Sequence, residues 1–308
     1  MKRKVYEQLL EWKSQEHHKP LILNGVWQCG KTYVLKEFGR QEFDSLAYVS
    51  CDRNVNLQAI YSGDFDVARI IQGLSALTGV DIIPGKTLIF LDEVQAFPQA
   101  LEALKYFCED APEYHIVVAG SLLGVALHAG VSFPVGKVQT LRLFPMDFEE
   151  FLMAMGEEQL LKLMHSHDYE LMNAFHEKLK DLLRQYYYVG GMPEVVKAFA
   201  ENKLLNQVRS LQNEILSNYA SDFSKYAPSQ EVPRIDMVWQ SILGQLSKEN
   251  KKFVYGVLKK GGRAKEFELA IQWLVDAGLV YKITKVSKPE LPLKFYEDLS
   301  AFKLYLCD

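Results

Sequence analysis

The run Gly25-Val26-Trp27-Gln28-Cys29-Gly30-Lys31-Thr32 fits the pattern G-x-x-x-x-G-K-[ST], and nothing else in the 308-residue chain limits its fold so tightly. Each fixed position has a chemical reason. The glycines let the backbone turn sharply and bring its N–H groups close to phosphate oxygens. The helix that begins at Lys31 aims its positive end at the same place. Lys31 would reach the β- and γ-phosphates of a nucleotide, and the Thr32 hydroxyl would take a position on Mg²⁺. The candidate nucleotide contacts on this loop are Gly25, Gln28, Cys29, Gly30, Lys31, Thr32 and Tyr33. By composition alone the pattern arises in roughly one chain in a hundred of this length, so its setting matters. An apolar strand, Leu21-Ile22-Leu23, runs into the loop and a helical pattern over 32–38 leaves it, as the motif requires.

Two more polar groups stand at the ends of apolar runs. Leu88-Ile89-Phe90-Leu91 leads into Asp92-Glu93, and Ile116-Val117-Val118-Ala119-Gly120 leads into Ser121. In an open α/β sheet the C-terminal strand ends form the ligand-binding edge, which is also the edge of the loop. In a nucleotide site Asp92 would hold Mg²⁺ through water, and Glu93 would orient and deprotonate the attacking water. Two acids after a strand also serve as a helix N-terminal charge pair. The loop 60 residues earlier favours the site reading. Ser121 has two readings, a contact to the γ-phosphate or attacking water and a plain helix cap.

Around these motifs the first 150 residues alternate short apolar runs with amphipathic stretches. Strands are expected over 20–24, 46–51, 87–92, 114–120 and 140–144, apolar on both faces as in a parallel sheet covered by helices. The helix over 100–109 sets Leu101, Leu104, Lys105 and Cys108 on one face. From 148 to 222 only helical patterns follow, broken at Val189-Gly190-Gly191-Met192-Pro193. A polar linker with Pro228 and Pro233 comes next. Three helical stretches and two strand-like runs, 279–286 and 293–297, then give the outline of a winged helix.

Composition narrows the class. Hydrophobic residues make up 48% and charged residues 24%, which excludes a disordered or low-complexity chain. Four scattered cysteines without a C-x-x-C pair argue against a zinc site or disulfide framework and fit a reducing compartment. The longest charge-free apolar run, 116–127, has 12 residues, short of the roughly 20 that cross a bilayer. Met1-Lys2-Arg3-Lys4 is basic but no signal-peptide core follows it. A soluble, cytoplasmic protein with no membrane partner is expected. The net charge of −4 hides an asymmetry: residues 248–288 hold ten Lys/Arg and four Asp/Glu, hence +6, leaving −10 elsewhere.

With these motifs in sequence, the chain resembles the large prokaryotic family of AAA-type P-loop ATPases that carry a C-terminal domain of unknown function. The likeness extends to Leu35-Lys36-Glu37-Phe38-Gly39, Leu91-Asp92-Glu93-Val94-Gln95, Gly120-Ser121-Leu122-Leu123-Gly124 and Ser132-Phe133-Pro134-Val135-Gly136. It also includes Phe144-Pro145-Met146-Asp147-Phe148-Glu149-Glu150-Phe151 and Gly190-Gly191-Met192-Pro193-Glu194-Val195. The resemblance implies ATP and Mg²⁺ as ligands and an α/β fold, a RecA/AAA-like parallel sheet with helices on both faces, then a helical lid and a winged helix. The expected division is an ATPase core over 1–147, a lid over 148–224, a linker over 225–234 and a winged-helix-like domain over 235–298. Residues 299–308 look like the start of a truncated further domain, nuclease-like in relatives. Gly191 and Pro193 match a G-x-P element that packs near adenine, the favoured reading, although Pro193 also reads as a plain helix start. Trp27 and Cys29 replace the family's usual arginine and valine. Lys137 follows Gly136 where many relatives have arginine, and lysine lacks the planar fork of a charge-stabilising finger. Turnover is therefore expected to be low, with Arg142 as another candidate finger.

The helical stretch 264–276 buries Phe267, Ala270, Ile271, Leu274 and Val275 and exposes Lys265, Glu266, Glu268 and Gln272. Lys259, Lys260 and Arg263 add positive charge just before it, but two glutamates on the exposed face count against groove reading. Interdomain packing or a protein contact is the favoured reading, and nucleic acid the other. His165-x-His167-Asp168 reads as a solvated turn, His115 and His128 as surface or boundary residues, and Tyr186-Tyr187-Tyr188 as lid packing. The expected function is Mg-dependent ATP hydrolysis, catalysed through Lys31, Glu93 and Ser121, that drives or resets a conformational switch. The alternative is a nucleotide-gated binding module whose output is protein or DNA recognition. A protein client and a homo-oligomer are both compatible with the sequence.

Overall fold

The computed structural model describes residues 1–121 and 133–308, in two compact units, Met1–Leu211 and Gln212–Asp308. Leu122, Leu123, Gly124, His128 and Ser132, which entered the sequence reading, lie outside the described residues.

In the first unit strands form where the apolar runs stand: β1 Leu21–Gly25, β2 Ser45–Ser50, β3 Thr87–Asp92, β4 His115–Gly120 and β5 Gln139–Leu143. Among the described residues they make a five-stranded parallel sheet in the order β2-β3-β4-β1-β5. Burial on both faces holds for the three central strands. It does not hold for the edges, where Thr140 and Arg142 of β5 are exposed, because an edge strand is covered less completely. Parallel direction puts Gly25, Asp92 and Gly120 at one end of the sheet.

Helices α1 Val5–Ser14, α2 Lys31–Glu42, α3 Leu57–Ile60, α4 Val67–Thr78 and α5 Pro98–Asp110 connect or precede these strands. One core cluster joins Ile22, Ile89, Leu91, Ile116 and Val118 to apolar side chains of α4 and α5. The α2 helix packs on Leu46 and Leu88, whose strand neighbours Ala47 and Ile89 belong to that cluster; a Cβ on Gly39 would stand 2.7 Å from Leu46 Cδ1. The buried face of α5 is Ala100, Leu101, Ala103, Leu104 and Phe107, not the expected face through Lys105 and Cys108. Phe107 supplies the apolar area, while burying Lys105 would strip its charge of water.

The stretch after β5 is helical as expected: α6 Phe148–Ala154, α7 Glu158–His165, α8 Tyr169–Ala174, α9 His176–Val189, α10 Pro193–Asn202 and α11 Leu205–Tyr226. Of the three tyrosines, Tyr186 packs on Phe148 and Phe151, whereas Tyr187 and Tyr188 are exposed. His165 bonds Glu149 at 3.1 Å, and Asp168 caps α8 by accepting from Leu171 N. No group of three or more potential metal-ligating His, Cys, Asp or Glu occurs among the described residues.

In the second unit α12 Val232–Leu246 and α13 Ala264–Asp276 precede an antiparallel hairpin, β6 Val280–Val286 with β7 Glu297–Leu306. The middle helical stretch is only a 3₁₀ turn, Tyr255–Val257. The second strand begins where the expected run 293–297 ends. Residues 299–306, read above as opening a further domain, instead pair with β6, Phe302 opposite Thr284 and Leu304 opposite Lys282. Burial explains it: Phe302 and Leu304 lie in the core of this unit, with Phe302 stacked on Phe253. On α13 the buried stripe is Phe267, Ala270, Ile271 and Leu274, with Trp273 in place of Val275. Within the expected linker 225–234 only residues 227–231 lie outside helices, and the division between the two units falls at Leu211/Gln212 instead.

His115 is buried rather than at the surface. Its ring stacks on His18 with centroids 3.8 Å apart, against Trp12 and Phe43. Burial first, then the neighbouring His18 and the Lys13 charge, push its pKa from 6.5 down to about 4. A folded pKa below the unfolded one means that unfolding takes up a proton. This contribution is therefore complete above pH 6.5 and is lost as pH falls towards 4. Thermal melts should show unit 1 weakening across that window, and His115→Phe should flatten the slope. An unchanged slope in the variant would contradict the assignment.

Candidate nucleotide-binding site

Glycine is required where β1 turns into the loop, since a Cβ on Gly25 would stand 2.4 Å from Leu143 O of β5. Gly30 caps α2 in the left-handed region, φ 93°, and Gln28 also has positive φ, 63°. The turn delivers Lys31 into the interior. Its Nζ donates to Gly25 O, Val26 O and Ser121 Oγ, each at 2.8 Å. Burial lowers its pKa, opposed by the charges of Glu93 and Asp92. Burial raises the pKa of Cys29, so this loop cysteine stays a thiol.

Asp92 at the end of β3 is buried and meets three donors. Thr32 Oγ1 donates to Oδ2 at 2.8 Å, Tyr48 OH to the same oxygen at 3.3 Å, and Glu93 N to Oδ1 at 3.1 Å. A hydroxyl and a carboxylate in contact form an all-oxygen donor set suited to a hard divalent cation such as Mg²⁺. Glu93 follows in the left-handed region, φ 52° and ψ 43°. The sequence-expected residues thus stand in two hydrogen-bonded pairs that start from neighbouring loop positions, Lys31 with Ser121 and Thr32 with Asp92.

The Gly191 region meets the same site by a different route. A Cβ on Gly191 would stand 2.3 Å from Met146 O, and Met146 N donates to Gly191 O at 2.7 Å. Pro193 opens α10 with its Cγ 3.6 Å from where a Gly30 Cβ would be. A cavity of about 530 Å³ lies beside it, lined by Arg3, Gly30, Tyr33, Val34, Pro193 and Lys197 among others. Pro193 and Tyr33 therefore line the cavity next to the loop, while Gly191 lets two backbones touch.

Arg3 went unrecognised in the sequence. Its buried guanidinium donates to Cys29 O at 2.8 Å, Phe144 O at 2.6 Å and Glu150 Oε1 at 3.1 Å. Glu150 also accepts from Lys4 N and completes the Asp147 capping box of α6. The pair spans 147 positions, so no local pattern announces it. Lys137, the candidate finger, bonds Glu109 at 2.8 Å, and each partner shifts the other towards its charged form. It precedes β5, whose Gln139 lies beside Leu21, whereas the loop follows Gly25 beside Leu143. That places Lys137 towards the opposite end of the sheet, with about 13 Å of β5 between Gln139 and Leu143. Arg142 pairs with Asn24, near the loop's end of the sheet, and lies over the Phe144 ring.

A parallel sheet with a phosphate-type loop after β1 and an acid after β3 defines a P-loop nucleotide-binding unit. Residues 17–152 match the AAA domain family, and residues 180–308 match a domain of unknown function, DUF8612. The chain thus carries a match to an AAA domain followed by a match to that second domain, and it has the fold of P-loop ATPases. A Walker-type ATPase of Pyrococcus abyssi shares the fold, with TM-score 0.59 at 13% identity over 99% of this chain and 93% of its own. Drosophila ORC bound to DNA (TM-score 0.38, 15% identity, 97% and 90% covered) is too distant to support an argument. So is a RuvB variant of Thermotoga maritima (0.39, 13%, 90% and 88%). No curated protein matches the chain. Among the described residues no helix is long and apolar enough to cross a membrane.

Arg3→Met would strand the buried Glu150 carboxylate and should cost about 3–5 kcal/mol. Adding Glu150→Met should recover most of it. Urea unfolding of the single and double variants checks this, and a single-variant loss below about 1 kcal/mol would contradict the role given to the pair.

Proposed function

We propose that the first unit binds Mg·ATP at the Gly25–Thr32 loop and hydrolyses it, and that the cycle drives or resets a conformational switch. The observation that carries this reading is the Lys31 ammonium held beside the Thr32–Asp92 pair, with a cavity adjoining the loop. Loop N–H groups and the start of α2 receive the phosphates, and Lys31 reaches the β- and γ-oxygens. Thr32 and Asp92 hold Mg²⁺, which when bound offsets phosphate charge. Glu93 orients the attacking water and takes its proton, and Ser121 contacts the γ-phosphate. Pro193, Tyr33 and Arg3 place the base in the adjoining cavity.

Lys137 supports a second reading, because it is engaged towards the far end of the sheet and completes no finger within this chain. The protein would then be a nucleotide-gated binding module with slow hydrolysis. Its output would be recognition of a protein, or of DNA through the basic residues around α13. Lys259 there already meets Glu266 at 3.7 Å, which favours the protein contact. A homo-oligomer would let a neighbouring copy supply the missing cation.

Steady-state turnover of ATP and GTP with Mg²⁺, with and without DNA, tests the choice. Lys31→Ala should weaken ATP binding by at least about 100-fold, and unchanged affinity would contradict the site. Glu93→Gln should retain affinity and lose about 10²–10⁴-fold in kcat. Full activity in that variant would reject Glu93 as the base.

A further inference from the structure

Two residues past the proposed base, the Gln95 side chain turns back on it. Gln95 Nε2 donates to Glu93 Oε2 at 2.5 Å, while its own Oε1 is buried with no hydrogen-bond partner among the described residues. The amide orientation follows from chemistry, since the reverse would set a carbonyl oxygen against a carboxylate. A buried acceptor left unpaired is costly to the fold. Glu93 adds to this its left-handed backbone, a conformation that strains a non-glycine residue. Both costs fall within three residues at the end of β3. A second contact fixes the same turn, Glu93 N donating to Asp92 Oδ1.

We propose that Gln95 is a positioning residue for hydrolysis: its amide N–H holds one oxygen of the Glu93 carboxylate so that the other is presented to the attacking water. The inference rests on the hydrolytic reading of the site. In the step it serves, the water oxygen bonds to the γ-phosphorus as its proton passes to Glu93. The bond from that phosphorus to the β-bridging oxygen breaks, ADP keeps the electron pair, and the proton leaves Glu93 for the phosphate product. An amide suits the task because it donates without adding a charge between Lys31 and the cation site. A carboxylate displaced by about 1 Å can lose about 100-fold in rate.

The test is steady-state ATP turnover and ATP affinity for the wild type, Gln95→Met, Gln95→Glu, Glu93→Gln and the Glu93→Gln/Gln95→Met double variant. Both Gln95 variants remove the donor while keeping length, so a folding failure in one leaves the other. Each should lose about 10–100-fold in kcat with KM and ATP affinity unchanged, and Gln95→Met should not lower the melting temperature. In the Glu93→Gln background Gln95→Met should have no further effect, a non-additivity that a merely structural role does not produce. A kcat within twofold of wild type, an additive double variant, or a parallel loss of affinity and stability overturns the proposal. Turnover that requires Glu93 but ignores Gln95 overturns this proposal alone. Absent or Glu93-independent turnover overturns the hydrolytic reading and this proposal with it.

Discussion

The Lys31 ammonium is withdrawn from water and surrounded by three oxygens, two from the loop itself and one from the end of β4. Removing a cation from solvent costs several kcal/mol unless other dipoles replace the water. Folding the loop so that Gly25 and Val26 turn their carbonyls to that charge is what replaces it. A peptide whose carbonyl points at the lysine leaves its neighbours' N–H groups free to face the opposite way, towards an anion. The third oxygen, on Ser121, ties the loop to a strand that begins ninety positions later, so the loop's shape depends on the register of the sheet.

A second buried cation acts on the other side of the same loop. Arg3 takes the Cys29 carbonyl from outside, and its remaining bonds reach the end of β5 and the first turn of α6. The N-terminal segment, the loop, β5 and the helices after it are therefore joined by one guanidinium fork, a geometry that lysine does not reproduce. Glu150 is held in turn by three further constraints, the Lys4 amide, the Asp147 amide and its own helix start. Site and scaffold are consequently not separable here: the group that shapes the loop also seats the cavity wall.

How much of this is legible in the sequence depends on the range of the interaction that fixes each part. The five strands, the loop and the break before Pro193 are local, set by apolar runs and by Gly and Pro geometry, and they form where those residues predict. Lys31, Thr32, Asp92 and Ser121 were readable because three parallel strands deliver their C-terminal ends to one edge. Arg3 was not, since its partner lies 147 positions away and a basic residue near a chain start looks like solvated charge. His115 was misread for a similar reason. Its polar ring suggested the surface, but aromatic neighbours from α1 and the segments around it bury it. The hairpin's second strand was placed too early because Leu293-Lys294-Phe295 is apolar enough to pass for a strand. The burial of Phe302 and Leu304 decides the pairing.

The account stands on the claim that this loop is built for the β- and γ-phosphates of a nucleotide. Calorimetric titration of the intact chain with ATP, ADP and AMP, with and without Mg²⁺, tests it most directly. Lys31 and the Thr32–Asp92 pair should make ATP and ADP bind at least about 100-fold more tightly than AMP, with Mg²⁺ strengthening ATP. Equal affinity for all three, or no binding, would contradict the account.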